Sequence, residues 1–280
     1  MPSAKPLDNF PFIRSRNIEE VSEAIACVYG RPAIAPARGA KTIEARINRC
    51  RLPHTTLTYS SYGVGVGLDY PETEFFSLLV PIHGTGEMFC GQAAVALPTG
   101  AGAVVSAGMA HKANHGANYG HLILQIDARV LAEKLAAMTG AEINNPLRIA
   151  PHAQAEHPAA QMLRQYLPML ADTVSGANPP FPAWWIEQTE QLLMTLLLAG
   201  YQHNYSHLLE QDAADSSRLH VRQAEDYIEA NAERAITLEE LATLTGVSAF
   251  SLFRSFKRHR GYSPLEFLSQ MRSRHGGTSR

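Results

Sequence analysis

Residues 237–264 read TLEELATLTGVSAFSLFRSFKRHRGYSP. Thr237 precedes an apolar-periodic run and Glu240 follows three residues later, the spacing of a capping box, with Ile236 and Leu241 at the hydrophobic-staple positions. The spacing predicts a helix from Leu238 to near Thr245. Gly246 closes it, because glycine takes the left-handed backbone conformation at little steric cost. Ser248 then caps a second helix, with Val247 and Leu252 as its staple. Two short helices around a Gly-containing turn make a helix-turn-helix.

At about 100° per residue, Ala249, Leu252 and Phe256 fall on one side of the second helix, toward Leu241 and Leu244 of the first. Phe250, Arg254, Lys257 and Arg258 gather on the other. A DNA-binding helix-turn-helix sets its second helix in the major groove with the N-terminal part toward the base edges. Arg254 is therefore the candidate base contact, since a guanidinium pairs bidentately with guanine. Lys257, Arg258 and Arg260 lie further along, where phosphate contacts position a module without reading sequence. Phe250 and Phe253 suit thymine methyls. The competing reading is a helical unit packed on the rest of the protein, its basic face merely solvated.

Gly261 ends that helix, and Ser263-Pro264-Leu265-Glu266 opens another, with Ser as cap, Pro at the first helical position and Glu at the box position. Phe267, Leu268 and Met271 form its apolar side. GVSAFSLFRSFKRHRGYSPLEFLSQMRSR (246–274) resembles the first helix-turn-helix and the start of the linker helix in the AraC/XylS family of bacterial transcription regulators. The resemblance runs from about Leu219 to Arg274 and rests on GVS, on the L-x-R-x-F-K spacing that follows it and on GxSP. Carried over position by position, the family's base-reading residues fall on Phe250, Phe253 and Arg254. The candidate DNA-binding set is Phe250, Ser251, Phe253, Arg254, Lys257 and Arg258. The family pattern implies two such units joined by the linker helix. HGGTSR, which follows Arg274, is too short and polar for a second helix pair. DNA binding is therefore expected to be impaired by truncation.

Charge is divided along the chain. Residues 1–217 carry 14 Lys and Arg against 19 Asp and Glu, and residues 218–280 carry 10 against 7, so an acidic body precedes a basic tail within a total charge of −2. A chain of 280 residues, 45% hydrophobic and 18% charged, can build one large or two ordinary domains. Its longest apolar runs, such as LLMTLLLAG (192–200), fall far short of the ~20 residues that span a bilayer. The N-terminus MPSAKPLDNFPF lacks a secretion signal, which places the protein in the cytoplasm without a membrane partner. Cys27, Cys50 and Cys90 are odd in number and widely spaced, as expected of reduced, buried thiols.

From about Thr55 to Ile126, short β-type runs alternate with Gly and Pro turns: TLTYSSY, FFSLLVPI, GEMFC, AAVAL, AVVSA and HLILQI. Strands at this spacing predict a small barrel or sandwich. FFSLLVPIHGTGEMFCG, LPTGAGAVVSAGMAHKANH and GHLILQID are similar to the cupin-like sensing domain that precedes the DNA-binding region in this family, particularly in its XylS-like branch. The resemblance implies a small effector in the barrel interior, with an aromatic or other organic acid preferred. It also implies promoter DNA as partner, and RNA polymerase as a further contact. His83, His111, His115 and His121 raise the question of a metal. No HxH with a following Glu is present, and Ala103 or Val104 occupies the place where the second cupin motif has His, so neither metal nor other cofactor is expected. Tyr59, His83, His111 and His115 are instead the candidate effector contacts, as residues of loops or the barrel mouth, with Tyr62 and Tyr119 as similar candidates.

Asp127 caps a helix to about Met138, closed by Gly140. Two longer helices are expected at about 157–173 and 183–209, separated by the breaker SGANPPFP. In the second, Thr189, Leu192, Leu193, Leu196 and Ala199 form a stripe that Leu197 and Leu198 widen beyond one packing face, which predicts a homodimer through Leu193, Leu196 and Leu197. EQDAADSSR (210–218) reads as an interdomain linker. The expected architecture is α+β. A cupin-like barrel with following helices occupies 1–209 and senses effector and dimerises; an all-α unit at 219–280 holds the first helix-turn-helix and the start of the linker helix. Two rivals remain: a modulator that dimerises with full-length relatives without binding DNA, and a cupin-type metal-dependent enzyme.

Overall fold

The computed structural model describes residues 5–37, 42–152, 157–176 and 181–276, with side chains for all of these except 211–215 and 274–276. It divides into two compact units, Met1–Ser206 and His207–Arg280.

The first unit runs β1 (Pro11–Ser15), α1 (Ile18–Tyr29), β2 (Ala33–Pro36), β3 (Ala45–Arg51), β4 (Thr55–Ser61), β5 (Val66–Tyr70), β6 (Phe75–His83), β7 (Gly86–Cys90), β8 (Ala93–Leu97), β9 (Ala103–Val105), β10 (His111–His115), β11 (Gly120–Asp127), α2 (Ala128–Thr139), α3 (Pro158–Gly176) and α4 (Ala183–Gly200). The strands form two antiparallel sheets, β1-β3-β4-β11-β6-β9 and β2-β5-β10-β7-β8. Their inner faces share core: Ile47 of β3 joins Leu68 of β5 and Ala113 of β10 in one cluster. Near the other end Leu79 of β6 joins Met88 of β7 and Leu97 of β8. This is the expected cupin-like barrel. α1 contributes Val21 and Ile25 to the first cluster.

All six expected strands form. β4 and β11 lie at the centre of the larger sheet and are buried on both faces along nearly their whole length, which is why TLTYSS and HLILQI read as continuous strand signals. β10, HKANH, was missed because only its inward residues are buried and two of those are histidine. α2 begins and ends as read, with Asp127 accepting from the backbone N–H groups of Arg129 and Val130 and Gly140 left-handed at the C-terminus. α3 starts within a residue of the expected position and runs three residues past the expected end, to Gly176, and part of the breaker after it, 177–180, lies outside the described residues.

Three expectations need correction. The 183–209 helix stops at Gly200, where the two helices come so close that a Cβ would fall onto the backbone of Ala160 and only glycine fits. The chain then turns extended at Tyr201, and the Ala150 N–H donates to the Gln202 carbonyl at 2.7 Å beside an Ile149–His203 bridge. Residues 210–218, read as a linker, lie inside the 25-residue helix α5 (Ser206–Ala230). Leu193 and Leu197 are 0% and 1% exposed and Leu196 is buried, so the proposed dimer surface is core of this unit. The wide apolar girth of α4 arises because α2 and α3 both pack on it. The helix is also pinned to the barrel by Glu190, whose buried carboxylate accepts from the His54 and Thr55 backbone N–H groups and the Thr55 hydroxyl at 2.8–2.9 Å. Cys50 and Cys90 are buried as expected, whereas Cys27 is exposed on α1.

The second unit contains α5, α6 (Leu238–Thr245), α7 (Ala249–Arg260) and α8 (Pro264–Gly276). Its caps match the sequence signals. Thr237 accepts from the Glu240 N–H, Ser248 from that of Ser251, and Gly246 and Gly261 are left-handed at φ 71° and 82°. Ser263 and Glu266 bond reciprocally. Val221, Ala224 and Ile228 of α5 build a core with Leu241, Leu252, Phe256, Phe267, Leu268 and Met271. Leu244, expected in this core, is 48% exposed. HGGTSR begins within the last turn of α8, and 277–280 lie outside the described residues.

Candidate effector site and nucleic-acid interface

The pleat of β10 turns His111, Ala113 and His115 into the barrel and Lys112 and Asn114 outward, where Lys112 pairs with Asp69 at 2.8 Å. Inside, His111 stacks on Tyr70 at 4.7 Å between ring centres. His115 stacks on Tyr119 at 4.4 Å and meets His121 edge-on at 4.8 Å. The Nδ1 atoms of His111 and His121, both ring nitrogens of His115 and the Tyr119 hydroxyl are buried without a hydrogen-bond partner. Burial holds these rings neutral: it lowers His111 to about 4 and His115 to about 3, the latter aided by His111, and lowers His121 well below the usual value. The same desolvation raises the Tyr62, Tyr70 and Tyr119 hydroxyls. His111 and His115 are therefore strand residues of the barrel interior, not loop or mouth residues.

His83, at the end of β6, does sit at the mouth. Its Nδ1 donates to the Asn118 carbonyl at 2.6 Å, which leaves Nε2 to accept from the Tyr59 hydroxyl at 3.3 Å. It borders a cleft of about 890 Å³ whose wall includes Arg14, Arg16, Arg46, Asp8 and Tyr119. The four candidate effector residues thus fall into two groups: His83 borders the cleft with the buried Tyr59 bonded behind it, and His111 and His115 lie inside. Tyr119 bridges them by lining the cleft and stacking on His115. Arg14 and Arg46, which share Asp8 at 2.7 and 3.7 Å, escaped the sequence reading, because no strand was assigned before Thr55. Among the described residues no group of three or more His, Cys, Asp or Glu could hold a metal ion.

On α7 the face opposite Leu252 and Phe256 is open. Phe250, Ser251, Phe253, Arg254, Lys257 and Arg258 are all exposed, Phe250 by 69%. The Arg254 guanidinium lies over the Phe250 ring, 5.7 Å from its centre. Ser251 is taken up locally, accepting a hydrogen bond from the Ser248 hydroxyl. Lys257 pairs with Glu266 at 3.0 Å, and Arg260 makes a two-pronged contact with Glu225 at 2.7 and 2.8 Å. Among the described residues no acid pairs with Arg254 or Arg258. These two cations of α7, neither paired with an acid among the described residues, lie four residues apart on one helix face.

A family model described as the AraC-binding-like domain matches residues 21–198. The probable thc operon regulatory protein of Rhodococcus erythropolis is 30% identical over 156 residues, 54% of this chain and 46% of that protein, so the chain spans under half the length of that curated relative. The AraC-like transcriptional activator CuxR superposes with a TM-score of 0.51 over 94% of both chains at 12% identity, a likeness of fold. A probable AraC family transcriptional regulator from Rhodopseudomonas palustris is 52% identical over 20% of this chain and 52% of its own, with a TM-score of 0.20.

Proposed function

The chain belongs to the AraC-binding-like domain family, and from that premise we propose that it is an effector-responsive regulator of transcription that binds double-stranded promoter DNA through α7. The observation that carries the reading is the open face of α7. A second helix of a capped helix-turn-helix presents Arg254 and Arg258 without internal counter-ions, beside two exposed phenylalanines. Arg254 lies nearer the helix N-terminus and takes the base contact; Arg258, one turn on, takes a phosphate. Lys257 contributes to phosphate binding only on leaving Glu266.

The barrel supplies the sensing half. Neutral histidine and tyrosine groups without partners line its interior, and the mouth cleft falls within the 300–1,000 Å³ typical of ligand sites. The chain acts as a homodimer through the outer face of the helix pair α3–α4, where Met162, Met169, Trp184 and Leu192 are exposed, in place of the buried leucines. RNA polymerase is a further contact, and the molecule works in the cytoplasm where the DNA is.

Fluorescence anisotropy with labelled duplex DNA at several salt concentrations tests the reading. Affinity that falls linearly on a log–log plot of salt, with one sequence preferred, supports it. Absence of binding at low salt would refute it and favour the DNA-free modulator.

A further inference from the structure

The larger sheet carries one row of residues in register across five strands. Arg14 of β1 lies opposite Arg46 of β3, Arg46 opposite Ser61 of β4, Ser61 opposite Gly120 of β11, and Gly120 opposite His83 of β6. Residues opposite one another share a face, so the row runs for about 19 Å along one side of the sheet, four strand spacings. The His83 ring covers Gly120, where a Cβ would collide with it. The neighbouring row, Ile47, Ser60 and His121, points the other way. Ile47 packs with Leu68 and Ala113, and His121 meets His115, all contacts of the barrel interior. The arginine row therefore faces outward.

Two guanidinium groups directly opposite one another repel, and like charges in that position destabilise a sheet. Asp8 lies 2.7 Å from Arg14 and 3.7 Å from Arg46, so two cations share one carboxylate. Arg16 and Glu44 meet only at 3.5 Å, and both side chains are largely exposed. Ion pairs that open hold weakly and exchange readily for a better partner. In the described wall of the cleft, Lys5, Arg14, Arg16 and Arg46 stand against Asp8 and Glu44, an excess of two positive charges. The cleft, about 890 Å³, is far larger than a bare anion. Beyond the arginines its wall continues with the Ser61 hydroxyl, the exposed Asn118 amide and the flat His83 ring, groups that hydrogen-bond or stack with a polar ring system. Tyr119, 2% exposed, adds a hydroxyl without a partner.

We propose that this cleft, on the outer side of the barrel wall, binds a phosphate ester of nucleotide size, with Arg14 and Arg46 gripping the phosphate and Ser61, Asn118 and the His83 ring holding its body. A phosphate matches both charge and shape: a dianion offsets the two excess charges, and its oxygens accept from two guanidinium forks at once. The competing account is structural, with Arg14 and Arg46 present only to clamp Asp8. One carboxylate balances one of two opposed cations and leaves the other uncompensated. The inference deepens the sensing half of the effector-responsive reading and rests on it for regulatory meaning, while binding at the cleft is measured separately.

Calorimetry on the full chain tests this with adenosine, guanosine, cytidine and uridine monophosphates, each beside its own nucleoside, and with inorganic phosphate. At least one monophosphate should bind about tenfold or more tightly than both its nucleoside and inorganic phosphate, and Arg46→Gln should remove that preference. Arg129→Gln, a surface change on α2, should leave it intact. Should Arg46→Gln fail to fold, as judged by circular dichroism, Arg16→Gln changes a largely exposed side chain of the same cleft and should weaken the same ligand several-fold. No monophosphate binding, equal binding of nucleotide and nucleoside, inorganic phosphate as tight as any ester, or wild-type affinity in the variants would overturn the proposal. Duplex DNA that loses affinity in Arg46→Gln while no nucleotide binds would make this face a contact for a nucleic-acid backbone and would also overturn it. If a nucleotide binds through Arg46 without altering DNA affinity, the site stands and the effector reading of this cleft falls. If other small molecules alter DNA affinity while no nucleotide binds, the effector reading stands and this one falls.

Discussion

Arg254 and Lys257 stand less than one turn apart on the exposed face of α7, yet only Lys257 is already committed to an acid. A phosphate contact by Lys257 must first break its pair with Glu266, whereas Arg258 has nothing to give up. We therefore expect Arg254→Ala to cost about 1–3 kcal/mol of discrimination between a preferred site and one mutated at the contacted base. Arg258→Ala should weaken binding to every sequence and reduce the salt dependence, and Lys257→Ala should do the same to a smaller extent. Anisotropy titrations at matched salt separate the three; equal losses on every DNA would remove Arg254 from base reading. In the barrel, His111 and His115 titrate at about 4 and 3, below the ordinary 6.5, so the unfolded chain binds more protons than the folded one between those values and 6.5. Their contribution to stability is complete above pH 6.5 and declines as pH falls from 6.5 toward 4, by about 1.4 kcal/mol per pH unit for each ring. Denaturant titration of His115→Phe should show a shallower acid-side loss than wild type. An unchanged slope would mean that His115 is not buried as a neutral ring.

At the scale of elements, what was legible followed from local chemistry. Thr237, Ser248 and Ser263 each cap a helix by bonding a backbone N–H three residues on, and such signals need no knowledge of the rest of the fold. The strands with unbroken apolar runs were legible for a similar reason. What failed depended on partners distant in sequence. α4 looked too apolar for one packing face because α2 and α3 flank it, and its last residue must be glycine because Ala160 lies against it. β10 looked like a loop because its inward residues are histidines whose neighbours, Tyr70 and Tyr119, come from β5 and the turn before β11. The two faces of α4 now give opposite expectations. Leu193→Glu places a charge in the core and should unfold the first unit, since a buried unpaired charge is among the costliest changes. Leu192→Glu together with Met169→Glu alters exposed positions and should yield a folded monomer. Sedimentation of wild type as a monomer, or unfolding of the double variant, would refute the dimer face.

Over the whole molecule, the first unit carries 14 Lys and Arg against 16 Asp and Glu and the second 10 against 10, so the basic excess of residues 218–280 belongs to the part of the second unit that holds the helix-turn-helix and not to that unit as a whole. Composition made two regions legible, although not the boundary between the units. The chain is helical through 210–218, where a polar stretch reads as a linker, because a polar sequence without Pro or Gly is as compatible with a solvated helix as with a loop. The placement of the candidate effector residues was legible only in part: His83 borders the cleft and bonds Tyr59, whereas His111 and His115, expected in loops or at the mouth, lie on a strand inside the barrel. The central claim is that α7 reads DNA sequence. It is tested most directly by selecting binding sites for the full chain from a pool of random duplexes, alongside Arg254→Ala. The account requires a recurrent motif containing guanine, with the preference at that guanine lost in the variant while overall affinity for DNA persists. Recovery of an unenriched pool by the wild-type protein, or the same motif at the same strength from Arg254→Ala, would contradict it.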